Sequence, residues 1–130
     1  MGLVFDTSIL IAIERGDIEI MKKLRELQNS YPSSPQLTFV SLFEYMVGLK
    51  LRNNKSLSDN LSLLKKFNVL NTTDKSADIL SDLKIKYDKK GLSLPLADLL
   101  SASIVIENNL TLLTRDTDFK NIEELKKIII

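Results

Sequence analysis

The chain has 130 residues, 44% of them hydrophobic and 27% charged, so we expect one folded domain over residues 1–130, not two domains or a disordered chain. It contains no His and no Cys, which excludes histidine acid–base chemistry, thiol nucleophiles and zinc sites built on imidazole or sulfur. A formal net charge of +1 excludes a broad basic field, so any nucleic-acid binding must depend on local patches.

The first half of the chain predicts strands that are each followed by helices. In chain order we predict a strand over residues 2–5, a helix over 6–14, an amphipathic helix over 17–29, a strand over 37–40, a helix over 41–51 and a turn at 53–56. Gly16 ends the first helix and Ser41 caps the third, because glycine favours helix ends and serine accepts from first-turn amides.

The second half alternates helices with short apolar segments. In chain order we predict a helix over residues 57–67, a weak strand over 68–71, a helix from the cap at 72–74 to about 90, a helix over 96–107, a strand over 110–114 and a closing apolar segment over 127–130. Gly91 terminates the long helix, and Pro95 suits the first turn of the next. That next helix is apolar nearly all round, so it should be mostly buried.

Apolar strands separated by helices indicate a three-layer α/β/α domain around a mostly parallel sheet. Ligands bind such sheets beyond the carboxyl ends of the strands. Asp6 and Asp116 directly follow strands, and Glu44 lies one helical turn beyond its strand, so we expect these three acids at that edge. Asp98 joins them only if its helix points inward.

The common target of these carboxylates is predicted to be a divalent metal. If Asp6, Glu44, Asp98 and Asp116 converge, their mutual repulsion requires a cation to offset it. Carboxylate oxygens suit Mg2+ or Mn2+. Metal-assisted hydrolysis of a phosphodiester is then the leading interpretation.

Most of the acids also have a structural alternative. Asp6 could cap the first turn of its helix. Glu44 could complete a capping box by accepting a hydrogen bond from the Ser41 amide. Asp116 and Asp118 could be turn and cap residues. If the acids only cap helices, the chain is a non-catalytic binding module.

The segments that carry the acids resemble the PIN-domain family, and most closely its VapC-type ribonuclease toxins. In order, the resembling segments are Val4-Phe-Asp-Thr-Ser-Ile-Leu-Ile11, Ser41-Leu-Phe-Glu-Tyr45, Pro95-Leu-Ala-Asp98 with the helix after it, and Leu112-Leu-Thr-Arg-Asp-Thr-Asp-Phe119. The resemblance implies a PIN-like fold with a parallel sheet between helices, a homodimer, and a small antitoxin as the partner that fills the acidic pocket.

By the same resemblance, the site consists of acids and supporting hydroxyl groups. The implied catalytic and metal-binding quartet is Asp6, Glu44, Asp98 and Asp116, with Asp118 as a further metal-binding acid and Thr7 and Thr114 as supporting residues. Asp6, Asp98 and Asp116 would hold one Mg2+ or Mn2+. Glu44 would position a second ion or the attacking water. Both threonines could equally be turn or strand residues, and Arg115 could contact phosphate or form a salt bridge inside the cluster.

The expected function is endonucleolytic cleavage of RNA by a metal-activated water, leaving 5′-phosphate ends. A DNA flap-type nuclease or a phosphatase on a similar acidic site is the alternative. A response-regulator receiver ranks lower, because Asp6 stands alone after the first strand. The basic side chains that could follow an RNA backbone are Lys50, Arg52 and Lys55, or Lys86, Lys89 and Lys90.

The expected inhibitor presents an Arg to Asp98 and Asp116, because guanidinium pairs bidentately with carboxylate. The helices at 17–29 and 41–51 are predicted to form the walls of its groove. Residues 1–13 make a poor signal peptide, since Asp6 interrupts them and no basic segment precedes them. With no stretch resembling a membrane span and no cysteine, the default expectation is a cytoplasmic protein.

Overall fold

The computed structural model describes residues 2–52 and 57–130, so Lys55 and the turn predicted at 53–56 lie outside the described residues. In chain order the elements are β1 (Leu3–Phe5), α1 (Thr7–Glu14), α2 (Ile18–Gln28), β2 (Gln36–Thr38), α3 (Phe39–Arg52), α4 (Leu57–Leu64), β3 (Asn68–Leu70), α5 (Asp74–Lys89), α6 (Leu96–Glu107), β4 (Thr111–Thr114), a 3₁₀ helix (Thr117–Asn121) and β5 (Lys127–Ile129). Within the described ranges, no helix has both the length and the apolar character needed to cross a membrane.

The five strands form one parallel sheet in the order β3-β2-β1-β4-β5. The chain starts in the middle, extends to one edge through β2 and β3, and later adds β4 and β5 on the other side of β1. The junction of β1 and β4 is therefore the topological switch point, where such sheets open a crevice at their carboxyl ends. Phe5 is paired with Leu113, so the residues that follow β1 and end β4 emerge side by side.

Two cores lie on opposite faces of the sheet, because successive strand side chains point to opposite sides. Val4 and Leu112 belong to the core packed by α5 and α6. Phe5 and Leu113 belong to the core formed with α1, α3 and α4. Every residue of β1 and β4 is buried, which is typical of strands covered by helices on both faces. The predicted three-layer α/β/α fold is confirmed.

Most helix ends agree with the predicted signals, but the helix predicted over 57–67 ends at Leu64, and the boundary between the second strand and the third helix is misplaced. Gly16 and Gly91 adopt positive φ angles of 66° and 77° directly after the first and fifth helices, as their positions predict. The third helix, however, begins at Phe39 and not at Ser41. The Thr38 hydroxyl accepts from the Ser41 amide at 3.2 Å, so Thr38 and not Ser41 caps the first turn.

The carboxyl-terminal turn of α5 is joined to the segment before β5 by a group that we call the Tyr87 clasp, which consists of Lys86, Tyr87, Lys90, Glu123 and Glu124. The buried Tyr87 hydroxyl donates to Glu124 Oε1 at 2.6 Å and accepts from the Glu123 amide at 2.9 Å. Lys86 pairs with both glutamates and Lys90 with Glu123. These contacts hold the segment that follows the 3₁₀ helix, and they engage two of the lysines considered for RNA binding.

A candidate metal centre at the carboxyl edge of the sheet

Three carboxylates meet at the switch point, and we call them the acidic group: Asp98, Asp116 and Asp118. One oxygen of each lies within 4.8 Å of the others. Asp98 comes from the first turn of α6, Asp116 follows β4, and Asp118 lies in the 3₁₀ helix. The helix at 96–107 therefore points its acid inward, which was the condition for Asp98 to reach the edge.

The electrostatics of Asp98 reflect this crowding. Partial burial and the nearby carboxylates, Asp116 first and then Asp6, raise the pKa of Asp98 from 3.8 to about 6. Asp118 and Glu44 add smaller contributions of the same sign. Within residues 2–52 and 57–130, none of these five acids forms an ion pair with Lys or Arg. The site therefore concentrates negative charge that the described side chains leave unbalanced.

Asp6 lies next to the acidic group but not within the set of three close carboxylates. Its side chain is buried, and it makes no capping contact with α1, so the capping alternative is wrong for this carboxylate. Asp6 Oδ2 accepts from the Thr114 hydroxyl at 2.8 Å and from the Ser8 hydroxyl at 3.1 Å. The Thr114 oxygen in turn accepts from the Asp116 amide at 2.9 Å. Thr114 thus links the ends of β1 and β4.

Ser8 is a residue of the site that the sequence patterns do not single out. Its hydroxyl donates to Asp6 and accepts from the Arg115 amide at 3.0 Å, so it connects α1 to the loop after β4. The available signal is its place beside Asp6 and Thr7, but a serine directly after a strand is equally typical of a helix cap. Only the pairing of β1 with β4 brings Ser8 to the Arg115 amide.

Glu44 is exposed and lies outside the set of three close carboxylates, although it is near enough to raise the pKa of Asp98. Its Oε1 accepts from the Thr7 hydroxyl at 2.9 Å. The capping box with Ser41 is wrong, because the Ser41 amide donates to Thr38. Thr7 is consequently the described side chain that orients Glu44.

Asp116 is both a helix cap, as the structural alternative predicted, and a member of the acidic group. Its Oδ1 accepts from the Asp118 amide at 2.9 Å and caps the 3₁₀ helix. Arg115 points elsewhere: its Nη1 lies 3.1 Å from Asp17 Oδ2, so a salt bridge inside the cluster is wrong. A backbone hydrogen bond from Ile20, together with Arg115, lowers the pKa of Asp17.

A cleft of about 300 Å³ runs beside Glu44 between α1 and α3. We call it the α1–α3 cleft, and its lining residues are Thr7, Ile11, Arg15, Glu44, Tyr45, Gly48, Leu51 and Arg52. The predicted groove used α2 as one wall, but no α2 residue lines this cleft. α2 instead borders a separate pocket at residues 31–35.

Comparison with protein families and curated proteins gives consistent matches. The family model of the PIN domain matches residues 3–125. A protein of Rickettsia bellii named Ribonuclease VapC is 29% identical over 136 aligned positions, which cover 100% of this chain and 97% of that protein.

Solved structures with the same fold cover the whole chain. VapBC2 from Rickettsia felis, bound to a DNA fragment from its promoter, superposes with a TM-score of 0.82 at 24% identity, covering 100% of this chain and 99% of that one. A toxin–antitoxin complex from Klebsiella pneumoniae has a TM-score of 0.77 at 26% identity, covering 99% of this chain and 100% of that one. FitAcB from Neisseria gonorrhoeae has a TM-score of 0.81 at 20% identity, covering 97% of this chain and 96% of that one, and shares the fold alone.

Proposed function

The chain belongs to the PIN domain family, and from this premise we propose that it is a metal-dependent endoribonuclease that serves as the toxin of a toxin–antitoxin pair. The observation that carries the proposal is the acidic group, whose three carboxylates converge without a cationic side chain in the described residues. The name of the Rickettsia bellii relative supports RNA as the substrate. The Klebsiella pneumoniae complex supports an antitoxin partner. We further propose that residues 1–130 form a single domain of this kind.

The donor set fits Mg2+ or Mn2+. Three carboxylates within 4.8 Å offer oxygen ligands only. Burial and then the neighbouring carboxylates raise the pKa of Asp98, and a divalent cation would relieve the repulsion among them. Asp98, Asp116 and Asp118 would hold the ion, with Asp6 and Glu44 beside it. When bound, such an ion lowers the pKa of a coordinated water and neutralises charge on a phosphate oxygen.

The remaining residues orient the acids. Asp6 is fixed by hydrogen bonds from the hydroxyls of Thr114 and Ser8, which orient its carboxylate at the edge of the sheet. Thr7 holds Glu44 at the solvent-facing side, where its second oxygen would accept a hydrogen bond from an attacking water. Arg115 is tied to Asp17 and supports the loop that carries Asp116. Its contact with phosphate remains a prediction.

A purified full-length sample incubated with single-stranded RNA and Mn2+ tests the activity. We expect internal cuts with 5′-phosphate ends, no cleavage after EDTA treatment, and restoration by added Mn2+. Parallel assays with branched DNA and with a phosphate monoester separate ribonuclease from flap nuclease and phosphatase. Full activity in EDTA contradicts the metal mechanism. Absence of both cleavage and saturable Mn2+ binding instead favours a non-catalytic module whose acids, like Asp116, serve as caps.

We also propose that a small antitoxin inhibits the site by placing an Arg at Asp98 and Asp116, and that the chain forms a homodimer. Both carboxylates belong to the unbalanced acidic group, and a guanidinium pairs with such oxygens bidentately. Co-expression with the partner should relieve growth arrest, and changing its inserted Arg to Ala should restore cleavage. A purified complex that cleaves RNA at the full rate excludes this mode of inhibition. Sedimentation of the free protein tests the dimer.

A further inference from the structure

Two facing helices each carry a row of side chains that leads away from the acidic edge and ends in an arginine. Residues four apart share one helix face, and the two rows are Thr7, Ile11 and the C-cap Arg15 of α1 and Glu44, Gly48 and Arg52 of α3, all of which line the α1–α3 cleft. Thr7 donates to Glu44 at 2.9 Å, so the two faces meet at the site. The cleft therefore extends from the proposed metal centre to a pair of arginines.

Gly48 is a residue that the fold does not require. It lies inside α3, and a Cβ built on it meets no atom within 4 Å. Its φ angle is not positive, unlike those of Gly16 and Gly91. Glycine weakens a helix interior relative to alanine, so neither conformation nor packing accounts for it here. A glycine that lines a cleft lets a ligand approach the helix backbone closely.

Arg15 supplies the charge at the far end of the cleft. It is exposed and makes no ion pair within the described part of the chain, whereas Arg52 is paired with Glu14 at 3.1 Å. Arg15 lies two helical turns, roughly 12 Å, from Thr7 along α1. Between them, Ile11 and Leu51 offer apolar surface, and Leu51 is 81% exposed. An exposed guanidinium at this distance is free to pair with an anionic group of a bound ligand.

We propose that the α1–α3 cleft is a nucleotide subsite that binds the RNA strand on one side of the cleaved phosphodiester. This assignment rests on the proposed ribonuclease function. A sugar and base pass over Gly48 against Ile11 and Leu51, and a following phosphate binds Arg15. RNA matches this lining because it repeats phosphates at regular spacing, with flat apolar bases between them. A peptide that pairs an Arg with the acidic group would also need an acidic side chain at the right distance to pair with Arg15.

Two substitutions with matched controls test the subsite in the full-length protein. Gly48→Leu fills the cleft without lowering helix propensity, and Val47→Leu adds bulk on the neighbouring exposed face. Arg15→Gln removes the far cation, and Arg25→Gln makes the same change at an exposed arginine of α2. We expect the two cleft variants to lower kcat/KM on single-stranded RNA about tenfold or more, mainly through KM. Arg15→Gln should also reduce the salt dependence of RNA binding by about one phosphate contact. Both controls should behave as wild type.

The Mn2+-induced rise in melting temperature shows whether the metal centre is intact, and it should be unchanged in all four variants. If Gly48→Leu does not fold, Gly48→Ala replaces it, and this variant should melt higher than wild type while binding RNA more weakly. If the cleft variants cleave RNA like their controls, the subsite is wrong while the ribonuclease function stands. If they keep full cleavage but escape inhibition by the co-expressed antitoxin, the cleft serves a protein and the proposal is overturned. If wild-type protein neither binds nor cleaves RNA, the proposed function and the subsite both fail.

Discussion

The acidic group and the Tyr87 clasp are both built from carboxylates, but their electrostatics are opposite. In the clasp, Lys86 and Lys90 lower the pKa of Glu123. Burial acts to raise the pKa of Glu124, but hydrogen bonds from Lys86 and Tyr87 outweigh it and the pKa is lowered. In the acidic group, burial and neighbouring acids raise the pKa of Asp98 to about 6.

The opposite pKa shifts distinguish carboxylates that stabilise the fold from carboxylates that are available to bind a ligand. Each clasp carboxylate has a partner, so its ionised form is favoured when the chain folds. At the switch point, burial and the neighbouring acids disfavour the ionised form of Asp98 when the chain folds. Carboxylates without a cationic partner lower the stability of the fold unless a cation binds. Unpaired charges of this kind are expected at functional sites.

The largest expected effect is on catalysis. Asp98→Asn removes one charged oxygen ligand with almost no change in size, and we expect RNA cleavage to fall by about 10³-fold. Asp6→Asn should cause a comparable loss. Initial rates with Mn2+ at saturation measure the effect, and circular dichroism checks the fold.

Asp82→Asn is the matched control, since Asp82 is an exposed acid of α5 remote from the site, and this variant should keep wild-type rates. If Asp98→Asn cleaves RNA at the wild-type rate, Asp98 is not a residue of the catalytic site, and the functional difference between the acidic group and the clasp is wrong.

The fold and the acids at the ends of β1 and β4 could be predicted because they depend on local patterns. Apolar strands, glycines after helices and Asp6 next to a strand are all readable within a few residues. The helix start at Phe39 could not be predicted, because Thr38 and Ser41 are both good cap residues and propensity does not choose between them. That ambiguity made the capping box of Glu44 look plausible.

Contacts between distant segments could not be predicted. Arg115 pairs with Asp17 across 98 positions, and Ser8 accepts from the Arg115 amide across 107. The α1–α3 cleft could not be predicted, because helix order in the sequence does not state which helices are neighbours in space. The family resemblance implied Asp118 as a further acid, but the 3₁₀ helix that carries it has no strong local signal.

Metal binding should give the next largest effect. At a Mn2+ concentration near 1,000 times Kd, the free energy of unfolding should rise by about 4 kcal/mol, because the ion binds only the folded site. Thermal unfolding at increasing Mn2+ measures a saturable shift. Ca2+ should also raise the melting temperature but should not support cleavage, since its looser coordination positions water poorly.

The same Mn2+ titration on Asp98→Asn tests the difference between the acidic group and the clasp. The Mn2+-induced rise in melting temperature should be smaller in this variant, because one ligand of the ion is lost. A variant in the clasp should keep the full shift. If Mn2+ stabilises Asp98→Asn as strongly as wild type, the ion binds elsewhere.

The stability of the metal-free protein should also depend on pH, and the raised pKa of Asp98 fixes the direction of its contribution. The folded pKa of Asp98 is about 6, against an ordinary value of 3.8, so the folded state binds the extra proton more tightly. The contribution of this group to stability is therefore fully present below pH 3.8 and is lost as the pH rises to about 6. The loss amounts to at most about 3 kcal/mol.

Because the clasp glutamates titrate with the opposite sign, the measured quantity is the difference between wild type and Asp98→Asn. The variant should gain stability relative to wild type as the pH rises through this window. A constant difference between the two proteins from pH 4 to 7 would contradict the raised pKa.

The smallest effect is expected in the clasp. Tyr87→Phe keeps the buried ring but deletes the hydroxyl that donates to Glu124 and accepts from the Glu123 amide. The free energy of unfolding should fall by about 1 to 2 kcal/mol, because both groups lose a partner in a poorly hydrated place. Urea unfolding measures the change. RNA cleavage and the Mn2+ shift should remain at wild-type levels, since the acidic group lies on elements that the hydroxyl does not contact.

Tyr31→Phe is the matched control, because the Tyr31 hydroxyl makes no hydrogen bond within residues 2–52 and 57–130, and its loss should leave stability almost unchanged. The opposite result for Tyr87→Phe, lost cleavage with unchanged stability, would mean that the clasp positions the 3₁₀ helix and Asp118 for catalysis. The two regions would then be one functional unit, and the division between paired structural acids and unpaired functional acids would fail at this point of the molecule.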